Sequence, residues 1–175
     1  MNKAIFLDRD GVLNNVVLID GKPHPPQDVS AVIIPEGVQE ALNQLKSQSF
    51  LLIGATNQPD VARGATSKTK VEAINNKLAK QLKLDDIRVC YHDDIDNCEC
   101  RKPKPGLILD AATEHNIDLT KSFMIGDRWK DIEAGKNAGV KTIWLKNSYL
   151  ERKPPRSPDL ITENMLKAYE WIIRQ

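Results

Sequence analysis

Four short stretches of this sequence carry the residue types needed to move a phosphoryl group. Asp8 and Asp10 stand two residues apart beside Gly11, in Asp8-Arg9-Asp10-Gly11-Val12. Thr56-Asn57-Gln58 sets three hydrogen-bonding side chains in a row, and Arg101-Lys102 puts two cations just before Pro103. Gly126-Asp127-Arg128 follows, with Asp131 four residues after Asp127. An aspartate, with an unperturbed pKa of ~3.9, is ionised at neutral pH and can attack phosphorus directly. A magnesium ion held by carboxylates offsets the charge repulsion of that attack. A second carboxylic group can protonate the leaving oxygen and later activate water. A lysine and a hydroxyl can bind the equatorial phosphoryl oxygens, where charge gathers in the transition state. Taken singly, each stretch also reads as an ordinary turn or a solvated basic patch.

A fifth cluster has different chemistry. All three cysteines lie within eleven residues, as Cys90-Tyr91-His92 and then Cys98-Glu99-Cys100. Residues i and i+2 of an extended segment face the same side, so each pair can grip one ion. Three thiolates and one imidazole complete a tetrahedral zinc site with no open position, the pattern of a structural ion. An odd cysteine leaves one thiol over in any disulfide scheme. The loop ends at Cys100, directly before Arg101 and Lys102, so a bound zinc would hold those cations in place.

The elements that must position these groups follow from apolar runs and helical stripes. Strands are expected at Lys3–Leu7, at Phe50–Ile53 (closed by Gly54), at Ile87–Tyr91, at Ser122–Ile125 and at Val140–Leu145, with a short edge strand at Leu160–Ile161. Helices are expected at Glu36–Ser47, Thr69–Leu84, Gly106–His115, Asp131–Ala138 and Glu163–Arg174. Such alternation predicts an α/β fold: a doubly wound, mainly parallel sheet of about five to six strands covered on both faces. Ligands of such sheets bind at the carboxyl ends of the strands, where the four polar stretches fall. Residues 16–30 are expected to form a loop beside the site. His24 reads as part of a surface proline-rich turn, and His115 as a cap on its helix.

Length and composition narrow the classes. The 175 residues suit one domain spanning 1–175, with the zinc loop at 90–100 as an insert. Hydrophobic residues at 41% and charged residues at 28% describe a folded globular chain, and a net charge of +1 provides no footprint for nucleic acid or anionic lipid. No apolar run approaches the ~20 residues of a membrane span, and the first ten residues turn acidic too early for a signal peptide. A cytoplasmic monomer acting on a small phosphorylated metabolite is the expectation. Only 24 residues separate Asp10 from Pro35, which leaves no room for a large cap domain.

The order DRDGV (8–12), Thr56, Lys102 and GDRWKD (126–131) resembles the haloacid dehalogenase superfamily of magnesium-dependent phosphohydrolases, from residue 3 to roughly residue 145. The resemblance implies Asp8 as nucleophile, Asp10 as general acid and base, and Thr56 and Lys102 as phosphoryl-oxygen ligands. It implies a magnesium ion held by Asp8, Asp127 and the Asp10 main-chain carbonyl, with Asp131 orienting the loop. The zinc loop followed by CRKPKPG narrows the resemblance to a branch acting on D-glycero-D-manno-heptose 1,7-bisphosphate or on histidinol phosphate. TNQ (56–58), ARG (62–64) and Pro103-Lys104-Pro105-Gly106 look like the heptose side. They imply loss of the 7-phosphate, contact of Arg63 and Arg101 with substrate, and a pocket shaped by Asn57 and Gln58; Arg128 is counted with these substrate-binding residues. The five-residue spacer before Cys98 and the Arg128 of GDR look like the histidinol side, and Pro59-Asp60 departs from the heptose pattern.

Two other classes compete. A phosphate-accepting receiver domain of signalling systems also uses acidic strand ends, a hydroxyl and a lysine. It would carry its phosphorylated aspartate after the third strand, where this chain has Cys90-Tyr91-His92. A zinc module that grips nucleic acid would bring more basic and aromatic residues than the 5% aromatics present here.

Overall fold

The computed structural model describes residues Met1–Gln175. Its centre is strand β1 (Lys3–Leu7), in which Ala4, Ile5, Phe6 and Leu7 are all inaccessible to solvent. A strand apolar at every position must be covered on both faces, and the alternation shows how. Ile5 and Leu7 face one hydrophobic layer, and Ala4 and Phe6 face the other. Helices α1 (Val38–Ser47), α2 (Lys68–Leu82) and α5 (Met165–Ile172) supply the first layer through Leu42, Leu45, Ile74, Leu78 and Ile172. Helices α3 (Gly106–Glu114) and α4 (Trp129–Ala138) supply the second through Ile108, Ala111, Ala134 and Ala138.

The β1 strand is flanked by β4 (Phe50–Asn57) and β6 (Phe123–Gly126), which pair with it in parallel. With β5 (Asp86–Cys90), β7 (Lys141–Leu145) and β8 (Leu160–Thr162), the sheet order is β5-β4-β1-β6-β7-β8, parallel throughout. The chain winds outward from β1 in both directions, so the switch point lies at its carboxyl end. Register then places the polar stretches side by side. Leu7 pairs with Gly54 and with Ile125, so Asp8 and Asp127, just past β1 and β6, and Thr56, near the end of β4, lie at one edge.

The second strand runs through Gly54 instead of stopping there. Gly54 pairs with Leu7 and Ile87, and a Cβ on it would lie 3.1 Å from the Ile87 side chain. The glycine makes room for a neighbour and turns nothing. Residues 16–30 are not an irregular loop. They hold an antiparallel hairpin of β2 (Val17–Ile19) and β3 (Lys22–His24), followed by a 3-10 turn at Val29–Ala31. Its turn, Asp20-Gly21, has positive φ at both residues, the backbone a tight two-residue hairpin requires. α1 begins at Val38 because Gly37 adopts φ 77° ahead of it, and α4 begins two residues before Asp131. No large insert separates β1 from α1, and no helix is long and apolar enough to cross a membrane.

Candidate active site

The β1 strand ends on Asp8, whose Oδ1 accepts a 2.8 Å hydrogen bond from Lys102 Nζ. The Lys102 ammonium also donates to Ala55 O at 2.7 Å and to the carboxylate of Asp131. Lysine is rarely buried unless paired, and here it is buried between two carboxylates. Burial alone would lower Lys102, but Asp131 and Asp8 outweigh it and hold the ammonium charged. Burial and the Asp131 charge push Asp8 up to about 6, against the pull of Lys102. Lys102 arrives from the loop after β5. Asn57 clamps its backbone from both sides, donating to Lys102 O at 3.0 Å and accepting from Lys102 N–H at 3.1 Å.

Asp127, at the end of β6, is buried with neither carboxylate oxygen hydrogen-bonded. Burial, then Asp8 and Asp131, raise it well above the ordinary carboxylate range. Ligand oxygens of Asp8, Asp127 and Asp131 lie within 4.8 Å of one another. Three carboxylates against one ammonium leave two negative charges unmatched, and an orphaned carboxylate marks where a cation belongs. The donor set is all oxygen, which suits magnesium. Asp131 ties the arrangement together, since its Oδ2 accepts from Arg128 N–H at 3.0 Å. Gly11, at φ 95°, passes so close to Asp127 that a Cβ there would overlap the carboxylate.

Asp10 is engaged by three side chains. Arg9 donates through Nε and NH2, the latter at 2.8 Å, Asn14 Nδ2 at 3.0 Å and Gln58 Nε2 at 2.7 Å. Gln58 Nε2 also donates to Thr56 Oγ1 at 2.9 Å, so Asp10 and Thr56 share one amide. Arg9 is among the most deeply buried side chains, and its NH1 reaches Asn75 of α2 at 3.0 Å. Arg9 and Asn14 escaped the sequence reading. Their signal is slight: both sit within four residues of Asp10, in a tight turn where Arg9 O accepts from Asn14 N–H and Gly11 N–H donates to Asn14 O.

A polar cavity of about 260 Å³ opens above these groups, lined by a single hydrophobic residue. Asp8, Asp10, Thr56, Asn57, Gln58, Arg63, Arg101, Lys102, Asp127 and Arg128 all reach it. His24 reaches it too, carried there by β3, so it belongs to the site wall and not to a remote surface turn. Lys130 is a further cation at the wall. The arginines meet carboxylates: Arg63 grips Asp93 at 2.6 and 2.7 Å, Arg101 bonds Asp94 at 2.7 Å, and Arg128 bonds Glu151 at 2.7 Å. His115 is the C-cap of α3, where its N–H donates to Ala111 O at 2.9 Å, but its side chain turns away from the helix end. Its Nε2 lies 2.9 Å from Asp86 of β5, far from this cavity.

Beside the cavity, Cys90, His92, Cys98 and Cys100 converge. Cys98 Sγ lies 3.6 Å from Cys90 Sγ and 3.5 Å from Cys100 Sγ, and His92 Nδ1 lies 3.4 Å from Cys100 Sγ. Ligands about 2.3 Å from a tetrahedral zinc would stand about 3.8 Å apart, close to these spacings. No disulfide joins them. The cluster rests on a small apolar seat of Ala55, Cys90 and Leu107. Gly106, opening α3, packs against the Glu99–Cys100 backbone where no side chain fits.

Known proteins resemble this chain along most of its length. The HAD-hydrolase-like family model matches residues 99–168. The chain is 38% identical to D-glycero-beta-D-manno-heptose-1,7-bisphosphate 7-phosphatase of Helicobacter pylori strain J99, over 98% of this chain and 97% of that protein. It is 41% identical to the protein of the same name from Pasteurella multocida, over 99% and 92%. Among solved structures, D,D-heptose 1,7-bisphosphate phosphatase from B. bronchiseptica, complexed with magnesium and phosphate, superposes with a TM-score of 0.80 at 27% identity, covering 98% of each chain. With its parallel sheet, strand-end carboxylates and near full-length likeness to these enzymes, the chain belongs to the HAD-like hydrolases, in the family of the heptose-bisphosphate 7-phosphatases, and is a phosphatase.

Proposed function

We propose that this phosphatase removes the 7-phosphate of D-glycero-D-manno-heptose 1,7-bisphosphate through a phosphoryl group carried on Asp8. One observation carries the reading: Asp8, the buried Lys102 ammonium and the unpartnered Asp127 carboxylate face one polar cavity. The substrate follows from the relatives, whose names specify that sugar bisphosphate. A wall rich in polar side chains, with Arg63, Arg101 and Lys130, suits a phosphorylated polyol. In this account residues 1–175 work as one domain.

Asp8 attacks the phosphorus, the new O–P bond forms, and the bond from phosphorus to the sugar oxygen breaks. Asp10 protonates that oxygen as it leaves. Asp10 then takes a proton from water, whose oxygen attacks the phosphorus and frees Asp8 and inorganic phosphate. Lys102 and Thr56 hold the phosphoryl oxygens as charge builds on them. Asp8, Asp127 and the Asp10 carbonyl would hold a magnesium ion, which supplies charge neutralisation when bound. Gln58 keeps Asp10 and Thr56 in register, and Asn57 keeps Lys102 in place. Cys90, His92, Cys98 and Cys100 would hold zinc as a structural ion and steady Arg101 and Lys102.

The test is phosphate release with magnesium from heptose 1,7-bisphosphate and from histidinol phosphate, compared by kcat/KM. The heptose bisphosphate should be preferred by at least about a hundredfold, since a site built to hydrogen-bond polar substrate groups rejects an analogue lacking them. A preference for histidinol phosphate would overturn the assignment.

A further inference from the structure

The segment between β7 and β8 carries none of the motif residues, yet it grips both loops that bring carboxylates to the cation. Residues 147, 149 and 151 are half-buried, and 148, 150 and 152 are exposed, so this strap, bent at Ser148 and Tyr149, turns every second residue inward. Asn147 Nδ2 donates to Gly11 O at 3.0 Å and to the Tyr149 hydroxyl at 3.0 Å. That hydroxyl lies 2.6 Å from the point where a Gly11 Cβ would stand, and the Asp127 carboxylate crowds the same point. Glu151 accepts from Arg128 Nε at 2.7 Å, next to Asp127. At the base of the strap, Trp144 Nε1 donates to Asp127 O at 3.0 Å. The strap therefore bridges the Asp10–Gly11 turn and the Asp127–Arg128 turn.

We propose that Asn147 and Tyr149 are positioning residues that fix the separation of these two turns and so set the affinity of the site for Mg²⁺. The inference rests on the functional reading only in taking Asp8, Asp10 and Asp127 as the residues that hold the cation. A carboxylate with no hydrogen bond of its own is held by its backbone alone. Any looseness between the Gly11 and Asp127 turns would spread its oxygens over many positions, and outer contacts of this kind typically alter metal affinity by about ten- to a hundredfold.

The experiment is calorimetric titration of the zinc-loaded full chain with Mg²⁺ alone, in the parent, Asn147→Ala, Tyr149→Phe and the solvent-facing control Leu150→Ala. We expect the Mg²⁺ dissociation constant to rise about tenfold in Asn147→Ala and several-fold in Tyr149→Phe, with Leu150→Ala unchanged. At saturating Mg²⁺ the substrate KM should stay within about twofold of the parent, and zinc content should not change. Tyr149→Phe keeps the ring and its packing, so it decides the matter should Asn147→Ala fold poorly. Parent-like Mg²⁺ affinity in the folded variants overturns the proposal, including when their melting temperatures fall. A parent that binds Mg²⁺ but releases no phosphate from the sugar bisphosphate contradicts the functional reading alone. A parent that binds no Mg²⁺ contradicts both.

Discussion

Lys102 sits between Asp8 and Asp131 with almost no access to water, and no other cation touches either carboxylate. Burying such charges is unfavourable unless each finds its partner, so removing one partner costs more than the pair was worth. Lys102→Met should therefore destabilise the magnesium-free protein by about 3–5 kcal/mol in urea unfolding, besides abolishing turnover. A loss below about 1 kcal/mol would show that the ammonium is not the counter-ion described. At this scale the sequence was legible wherever residue type alone carries the chemistry: two aspartates, a threonine, a lysine and an aspartate at successive strand ends. Arg9 was not legible, because its burial depends on Asn75, which α2 brings from 66 positions away. Nor was it visible that Asn57 and Gln58 point their amides at Lys102, Asp10 and Thr56.

Among the elements, the cysteine–histidine loop and the hairpin shape the cavity from outside the sheet. The loop between His92 and Cys98 carries Asp93 and Asp94, which hold Arg63 and Arg101. Arg63 in turn draws Asp93 down to about 2. Cys98→Ser should remove close to one zinc per chain by metal analysis, lower the melting temperature and cut kcat/KM by more than about tenfold. Full activity in zinc-free protein would contradict a structural role for the cluster. The spacing of these ligands was readable because an i, i+2 pair is a local pattern. The hairpin was readable in principle from Asp20-Gly21 directly after the apolar run at 16–19, but prolines at 23, 25 and 26 drew attention to a turn instead. Gly54 misled for a non-local reason: the neighbour that requires it, Ile87, belongs to another strand.

Over the whole molecule, the parallel sheet wound outward from β1 converts four separate sequence stretches into one site. Strand count and helix alternation were legible, since a strand buried on both faces reads as an unbroken apolar run. The strap from 147 to 151 was not, because its contacts are with Gly11 and Arg128, far away in the chain. The placing of Asp8, at the end of the central strand and facing both Lys102 and the cavity, is the feature on which the mechanism depends. Acid quenching during turnover of substrate labelled at the 7-phosphate, followed by peptide mapping, tests it most directly. The account predicts label bound covalently to the peptide containing Asp8 and missing from the Asp8→Asn protein. Turnover with no label on the chain, or full turnover by Asp8→Asn, would contradict it.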